Sequence, residues 1–122
     1  MGYLRTDGKT LRDMTAEIRQ VNTEKGWRTG DVTFGEYIAL AHSELSEALE
    51  AYRDNRLKLD VTDPTTGKPV SVGSELADVL IRLLDMCDVW GVNLEVEYER
   101  KLAYNRTRPY QHGGRTLSST AG

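Results

Sequence analysis

The sequence predicts an all-α protein, an antiparallel bundle of four helices, on three observations. Apolar residues recur at three- and four-residue spacing in four separate segments. Start and stop signals bracket those segments. Two of the segments also repeat one pattern, Ser43-Glu44-Leu45-Ser46-Glu47-Ala48-Leu49 and Ser74-Glu75-Leu76-Ala77-Asp78-Val79-Leu80: Ser, Glu, Leu, a small residue, an acid, a small apolar residue, Leu.

The first helix is expected from Thr10 to about Lys25, with Leu11, Met14, Ile18 and Val21 on one face and Gly26 as its stop. A polar loop follows, opening on Trp27. Thr33-x-x-Glu36 has the form of a capping box, so the second helix starts there and runs to about Asn55. Its main apolar stripe reads Phe34, Ile38, Ala41, Leu45, Leu49 and Tyr52, which predicts the core side. Glu44 and Glu47 fall in another sector with Leu40 and Ala51, which suggests a second packed face.

Residues 57–72 contain Asp63-Pro64-Thr65-Thr66-Gly67, a turn signal between the alternating Leu57, Leu59, Val61 and Val70, Val72. Either a short β-hairpin or an ordered loop satisfies that pattern. Gly67-Lys68 is no P-loop, because the upstream Gly is missing and Pro69 replaces Ser/Thr. The third helix is expected from about Gly73 to Trp90, with Leu76, Val79, Leu80, Leu83, Cys87 and Trp90 as its core stripe. Glu75, Asp78 and Arg82 lie on one flank of it, and Gly91 ends it. Asn93 N-caps the fourth helix, which ends near Asn105. The helical domain spans 1–114, and 115–122 read as a flexible tail.

The chain has 122 residues and a formal charge of −3, which fits one domain and argues against a partner that is polymeric nucleic acid. One cysteine, Cys87, permits no intrachain disulfide and suits a reducing cytoplasm. No apolar run approaches the ~18 residues of a membrane span. A soluble, cytoplasmic protein without a membrane partner is expected.

In a helix, residues three apart are neighbours, so Glu44 pairs with Glu47 and Glu75 with Asp78. Either pair alone would read as solvated surface charge. The repeat makes two helices that each present a carboxylate pair, and four oxygen donors suit Mg²⁺ or Mn²⁺ rather than zinc. Mg²⁺ commonly completes its shell with water and substrate phosphate. One such ion would leave two of four negative charges uncompensated, which calls for more than one metal or for a nearby cation such as Arg82, one turn beyond Asp78.

At these residues the sequence resembles the MazG-like all-α nucleoside triphosphate pyrophosphohydrolases, whose motif is E-E-x-x-E, a spacer, then E-x-x-D. Glu44 and Glu47 match its second and third acids, Glu75 and Asp78 its last pair. Ser43 stands where many members carry the first Glu. Lys101-x-x-x-Asn105-x-x-Arg108 is similar to the family's K-x-x-x-N-x-x-R segment, and the likeness covers roughly Thr33 to Gly114. It implies Mg²⁺-dependent cleavage of a nucleoside triphosphate to the monophosphate and pyrophosphate, with Glu44, Glu47, Glu75 and Asp78 as metal ligands and catalytic acids. It further implies substrate contacts from Lys101, Asn105 and Arg108, and a homodimer or homotetramer in which protomers complete each other's bundles. Arg82 and the loop residue Trp27 join the substrate-binding set. Two alternatives stay open: a non-catalytic, metal-stabilised helical interaction module, and a phosphoribosyl-ATP pyrophosphatase of the same fold.

Overall fold

A computed structural model describes residues 6–110, and the expected tail at 115–122 lies outside them. Among the described residues there are four α-helices: α1 (Leu11–Glu24), α2 (Phe34–Arg53), α3 (Val72–Val89) and α4 (Leu94–Arg106). Helices α1–α3 belong to one compact unit, and α4 belongs to a second unit that begins at Asn93.

Each helix starts on a side-chain cap that satisfies otherwise unpaired N–H groups. Thr10 makes the full reciprocal box: its hydroxyl accepts from the Asp13 N–H at 3.1 Å, and Asp13 accepts from the Thr10 N–H at 3.0 Å. At Thr33 half of the expected box forms. Its hydroxyl oxygen accepts from the Glu36 N–H at 3.1 Å, while the Glu36 carboxylate takes the hydroxyl proton instead of the backbone one. Ser71 and Asn93 cap α3 and α4. Gly26 and Gly91, at φ of +73° and +70°, turn the chain after α1 and α3 through a conformation that costs glycine nothing.

α2 and α3 pack most extensively, and they run antiparallel. The Val72 N–H at the start of α3 donates to the Arg56 carbonyl just past the end of α2. At the other end Trp90 meets both Phe34 and Tyr37 edge-on, with ring centroids 5.3 and 5.4 Å apart. α1 lies against α3.

The packed seam differs from the expected stripe. α2 buries Tyr37, Ala41, Ala48 and Ala51, alternating four and three residues apart through a half-buried Glu44. Phe34, Leu45, Leu49 and Tyr52, expected in the core, are exposed. On α3 the buried residues are Glu75, Leu84, Asp85 and Met86, whereas Leu76, Leu80 and Trp90 are exposed. Alanines occupy the seam, so the two backbones can approach closely and residues of both helices meet across it. The sector of Glu44, Leu40 and Ala51 is thus the principal intrachain face, and the larger apolar stripe points away from it.

Of the two forms open for 57–72, an ordered loop is present, with a single antiparallel bridge, Thr62 to Pro69, and no strand. Pro69 has no N–H to extend a ladder. Side chains take over instead. Asp63 Oδ1 accepts from the N–H groups of Thr65 and Thr66 at 2.8 and 3.1 Å, and Arg56 Nη1 donates to the Val70 carbonyl.

α4, taken by itself, buries no residue. Lys101 sits over the Tyr104 ring, 5.6 Å from its centre, and Arg100 pairs with Glu97. Asn105 lies in its last turn, and Arg108 follows it, its N–H donating to the Asn105 carbonyl at 3.2 Å.

Candidate metal centre and cavity

The α2–α3 seam brings three of the four expected acids together. Glu44, Glu75 and Asp78 each present a carboxylate oxygen, and these oxygens all lie within 4.8 Å of one another. Antiparallel packing explains the meeting: Glu44 is central on α2, Glu75 and Asp78 share one flank of α3, and small neighbours let the helices close. Glu47 is exposed and stands outside this trio, one turn from Glu44.

Glu75 is 5 % exposed, and its Oε2 has no hydrogen-bond partner among the described residues. A buried carboxylate oxygen left unpaired costs free energy, roughly 1–3 kcal/mol for a neutral group and more for a charged one. Burial, reinforced by the neighbouring Glu44 charge, pushes Asp78 above the ordinary carboxylate range, while Lys68 and Arg82 oppose the shift. Arg82 pairs with Glu44 at 3.5 Å. The trio fits a hard divalent cation: all donors are carboxylate oxygens, and one has no other partner.

Two of the trio, Glu44 and Asp78, line a cavity of about 510 Å³. Trp27, Val32, Tyr37 and Leu40 form an apolar wall, Glu44 and Asp78 supply acids, and Lys68 and Arg82 supply cations. Trp27, its backbone N–H held to the Asn22 carbonyl at 2.8 Å, is 63 % exposed and lines this space. Tyr52, a core residue by sequence, is exposed instead.

Asp85, Arg28 and Lys68 complete the setting without having been assigned a site role from sequence, beside Tyr37, an aromatic that sequence offers for stacking a base. Arg28 Nη2 meets Asp85 at 2.6 Å and Asp88 at 3.0 Å, and Arg19 grips Asp88 through two hydrogen bonds of 2.6 and 2.8 Å. This network ties α1, the Trp27 loop and α3 together. Burial works against the Arg28 charge, but Asp88 and Asp85 outweigh it and raise its pKa. Burial raises the Tyr37 phenol, and hydrogen bonding and charge from Asp85 add to that. The signal for Asp85 was there: it extends the flank of Glu75, Asp78 and Arg82 by three residues. Lys68 carries no comparable signal, since it sits in a loop.

The Arg19 hydrogen bond, joined by Arg28, outweighs burial and holds Asp88 down at about 2. Its ordinary value is about 3.9, so its contribution to stability is present above about pH 4 and disappears as pH falls through 2. Asp88→Asn is expected to cost roughly 1–2 kcal/mol at pH 7, discounted from the full linkage value because Arg19 is half exposed. Urea melts at pH 7 and pH 2.5 check this: the gap between variant and parent should shrink at the lower pH.

Lys101, Asn105 and Arg108 are exposed on and just after α4, in the second unit. No protein-family model, curated protein or solved structure matches the chain. No helix among the described residues is long and apolar enough to cross a membrane.

Proposed function

We propose that the protein is a Mg²⁺-dependent nucleoside triphosphate pyrophosphohydrolase. The observation that carries this reading is the carboxylate trio with its unpartnered buried Glu75 oxygen, two of whose members, Glu44 and Asp78, line a cavity with an aromatic and apolar wall. An ordinary solvated acidic patch would not bury a carboxylate or open onto such a wall. The resemblance of the acid repeat and of the Lys101/Asn105/Arg108 segment to the MazG-like enzymes supports the same conclusion.

Glu44, Glu75 and Asp78 would hold the cation, Mg²⁺ or Mn²⁺, which when bound supplies charge neutralisation and polarisation of the phosphoryl group. Trp27 and Tyr37 line the space for a base. Arg82, paired with Glu44 at 3.5 Å, offsets part of the excess charge of the acids. Water attacks phosphorus, the bridging bond between the α- and β-phosphates breaks, and pyrophosphate leaves the nucleoside monophosphate. Glu47, exposed one turn from Glu44 and outside the trio, is the acid free to take the water proton. Lys101, Asn105 and Arg108 contact phosphate and sugar in this reading, by virtue of their segment alone. A cytoplasmic location is part of it, resting on the single cysteine.

The same proposal includes a homo-oligomer. Leu45, Leu49 and Tyr52 on α2 and Leu76 and Leu80 on α3 are exposed, and a second copy would cover them. α4 is 13 residues long and buries none of them, and a helix of that length is marginal in water without packing. Leu49, 51 % exposed, is the natural probe. Leu49→Glu is expected to shift a dimer or tetramer to monomer in sedimentation at micromolar concentration. A parent chain that is already monomeric would end this part of the proposal.

Incubation with a nucleotide panel and Mg²⁺, with pyrophosphate and monophosphate quantified, tests the activity. Equimolar pyrophosphate and monophosphate, abolished by EDTA, are expected. Activity confined to phosphoribosyl-ATP would assign the chain to that substrate instead. Mg²⁺-dependent thermal stabilisation with no turnover on any substrate would make it a helical interaction module.

A further inference from the structure

We propose that Lys68 is a positioning residue that selects substrates by phosphate-chain length, holding the terminal phosphates of a nucleoside triphosphate at the acid end of the cavity. The role rests on the nucleotide reading of that cavity.

The cavity has a direction. Along α3 its lining runs from Asp85 through Arg82 to Asp78, a span of about 10 Å at the helical rise. Along antiparallel α2 it runs from Tyr37 through Leu40 to Glu44. The aromatic wall therefore stands at the Asp85 and Tyr37 end, and the metal-binding acids at the other. Lys68 lines the same cavity, on the loop that leads into the start of α3, and its charge acts on Asp78 as well as on Asp63 of its own loop. A nucleotide with its base against Trp27 and Tyr37 directs its phosphates toward the trio, and the phosphates furthest from the base toward Lys68.

Lys68 is also the available cation there. Arg28 is committed to Asp85 and Asp88, and Arg82 to Glu44. Among the described residues Lys68 Nζ forms no hydrogen bond or ion pair, and its side chain is exposed. Its backbone, by contrast, is pinned on both sides. The Lys68 carbonyl accepts from the Asp63 N–H at 2.8 Å, and the Lys68 N–H donates to the Thr66 hydroxyl oxygen at 3.2 Å. Asp63 itself is fixed by two backbone N–H groups. An ordered loop thus presents one unpaired ammonium beside the acids, where a longer phosphate chain brings additional negative charge.

The test compares parent chain, Lys68→Met and Lys68→Arg for steady-state turnover and for inhibition by each product, inorganic pyrophosphate and the nucleoside monophosphate. A hydrogen bond to a charged group corresponds to roughly a 10- to 100-fold change in binding. Lys68→Met should raise KM for the triphosphate and the inhibition constant of pyrophosphate by that factor. It should leave inhibition by the monophosphate and the melting temperature unchanged, and Lys68→Arg should stay within a few-fold of the parent. Pyrophosphate inhibition that does not weaken, or weakens equally with monophosphate inhibition, overturns the role of Lys68 while the hydrolase reading stands. A parent chain that hydrolyses no nucleotide overturns both.

Discussion

Asp78→Asn is expected to abolish turnover and to leave the metal-free protein slightly more stable than its parent. The amide keeps the shape of the carboxylate but loses the charge that a hard cation requires, and loss of that electrostatic contribution is worth on the order of 10³-fold or more in rate. The stability effect has the opposite sign. Burial and the Glu44 charge raise the Asp78 pKa, so the folded state binds this proton more tightly than the unfolded chain does. Stability from this group is therefore highest at low pH and falls as pH rises through the raised pKa. Removing the charge at neutral pH relieves that penalty, by roughly 0.5–1 kcal/mol for a half-buried site beside one like charge. Melting temperatures in EDTA and in excess Mg²⁺ check both halves: Mg²⁺ should stabilise the parent and do nothing for the variant. A variant that turns over normally at saturating Mg²⁺ would put the metal site elsewhere. A variant that unfolds in EDTA would make Asp78 a structural partner of the helix.

The four helices were legible because capping residues, glycine stops and apolar spacing agreed along the whole chain. Which face packs was not. Leu45, Leu49 and Tyr52 form the more hydrophobic stripe of α2, yet the intrachain seam runs through Ala41, Ala48 and Ala51. Periodicity reports that a face is apolar, not which neighbour covers it, and close approach through alanine contributes little to a hydrophobic stripe. Glu44, Glu75 and Asp78 were found because a repeated pattern on two helices needs only antiparallel packing to converge. Glu47 shares the repeat but sits about 60° around α2 from Glu44 in the direction away from the seam, a distinction of rotation that spacing alone does not make. Lys68 depends on how a loop folds back over α3, through Asp63 and Arg56, and no local pattern encodes that return.

The trio and Glu47 should therefore separate by function, and this contrast has the largest consequences after Asp78. Glu75→Gln replaces the buried, unpartnered carboxylate with a neutral group of the same shape. Without metal it should fold about as well as the parent, because the side chain keeps its shape and no hydrogen bond of the buried Oε2 is lost. Its Mg²⁺-dependent stabilisation should vanish, and turnover with it. Glu47→Gln changes an exposed side chain outside the trio, so Mg²⁺ should still stabilise it and substrate should still bind. If Glu47 accepts the water proton, kcat should fall by roughly 10²- to 10⁴-fold with KM little changed, and the acidic limb of the pH–rate profile should flatten. The decisive readouts are Mg²⁺ titration by calorimetry and the kcat–KM split. Loss of Mg²⁺ binding in Glu47→Gln would make Glu47 a fourth ligand that swings inward from its exposed position. Retained Mg²⁺ binding in Glu75→Gln would mean that the buried carboxylate oxygen is not where the cation sits, and the centre would have to be sought among the exposed acids of α2.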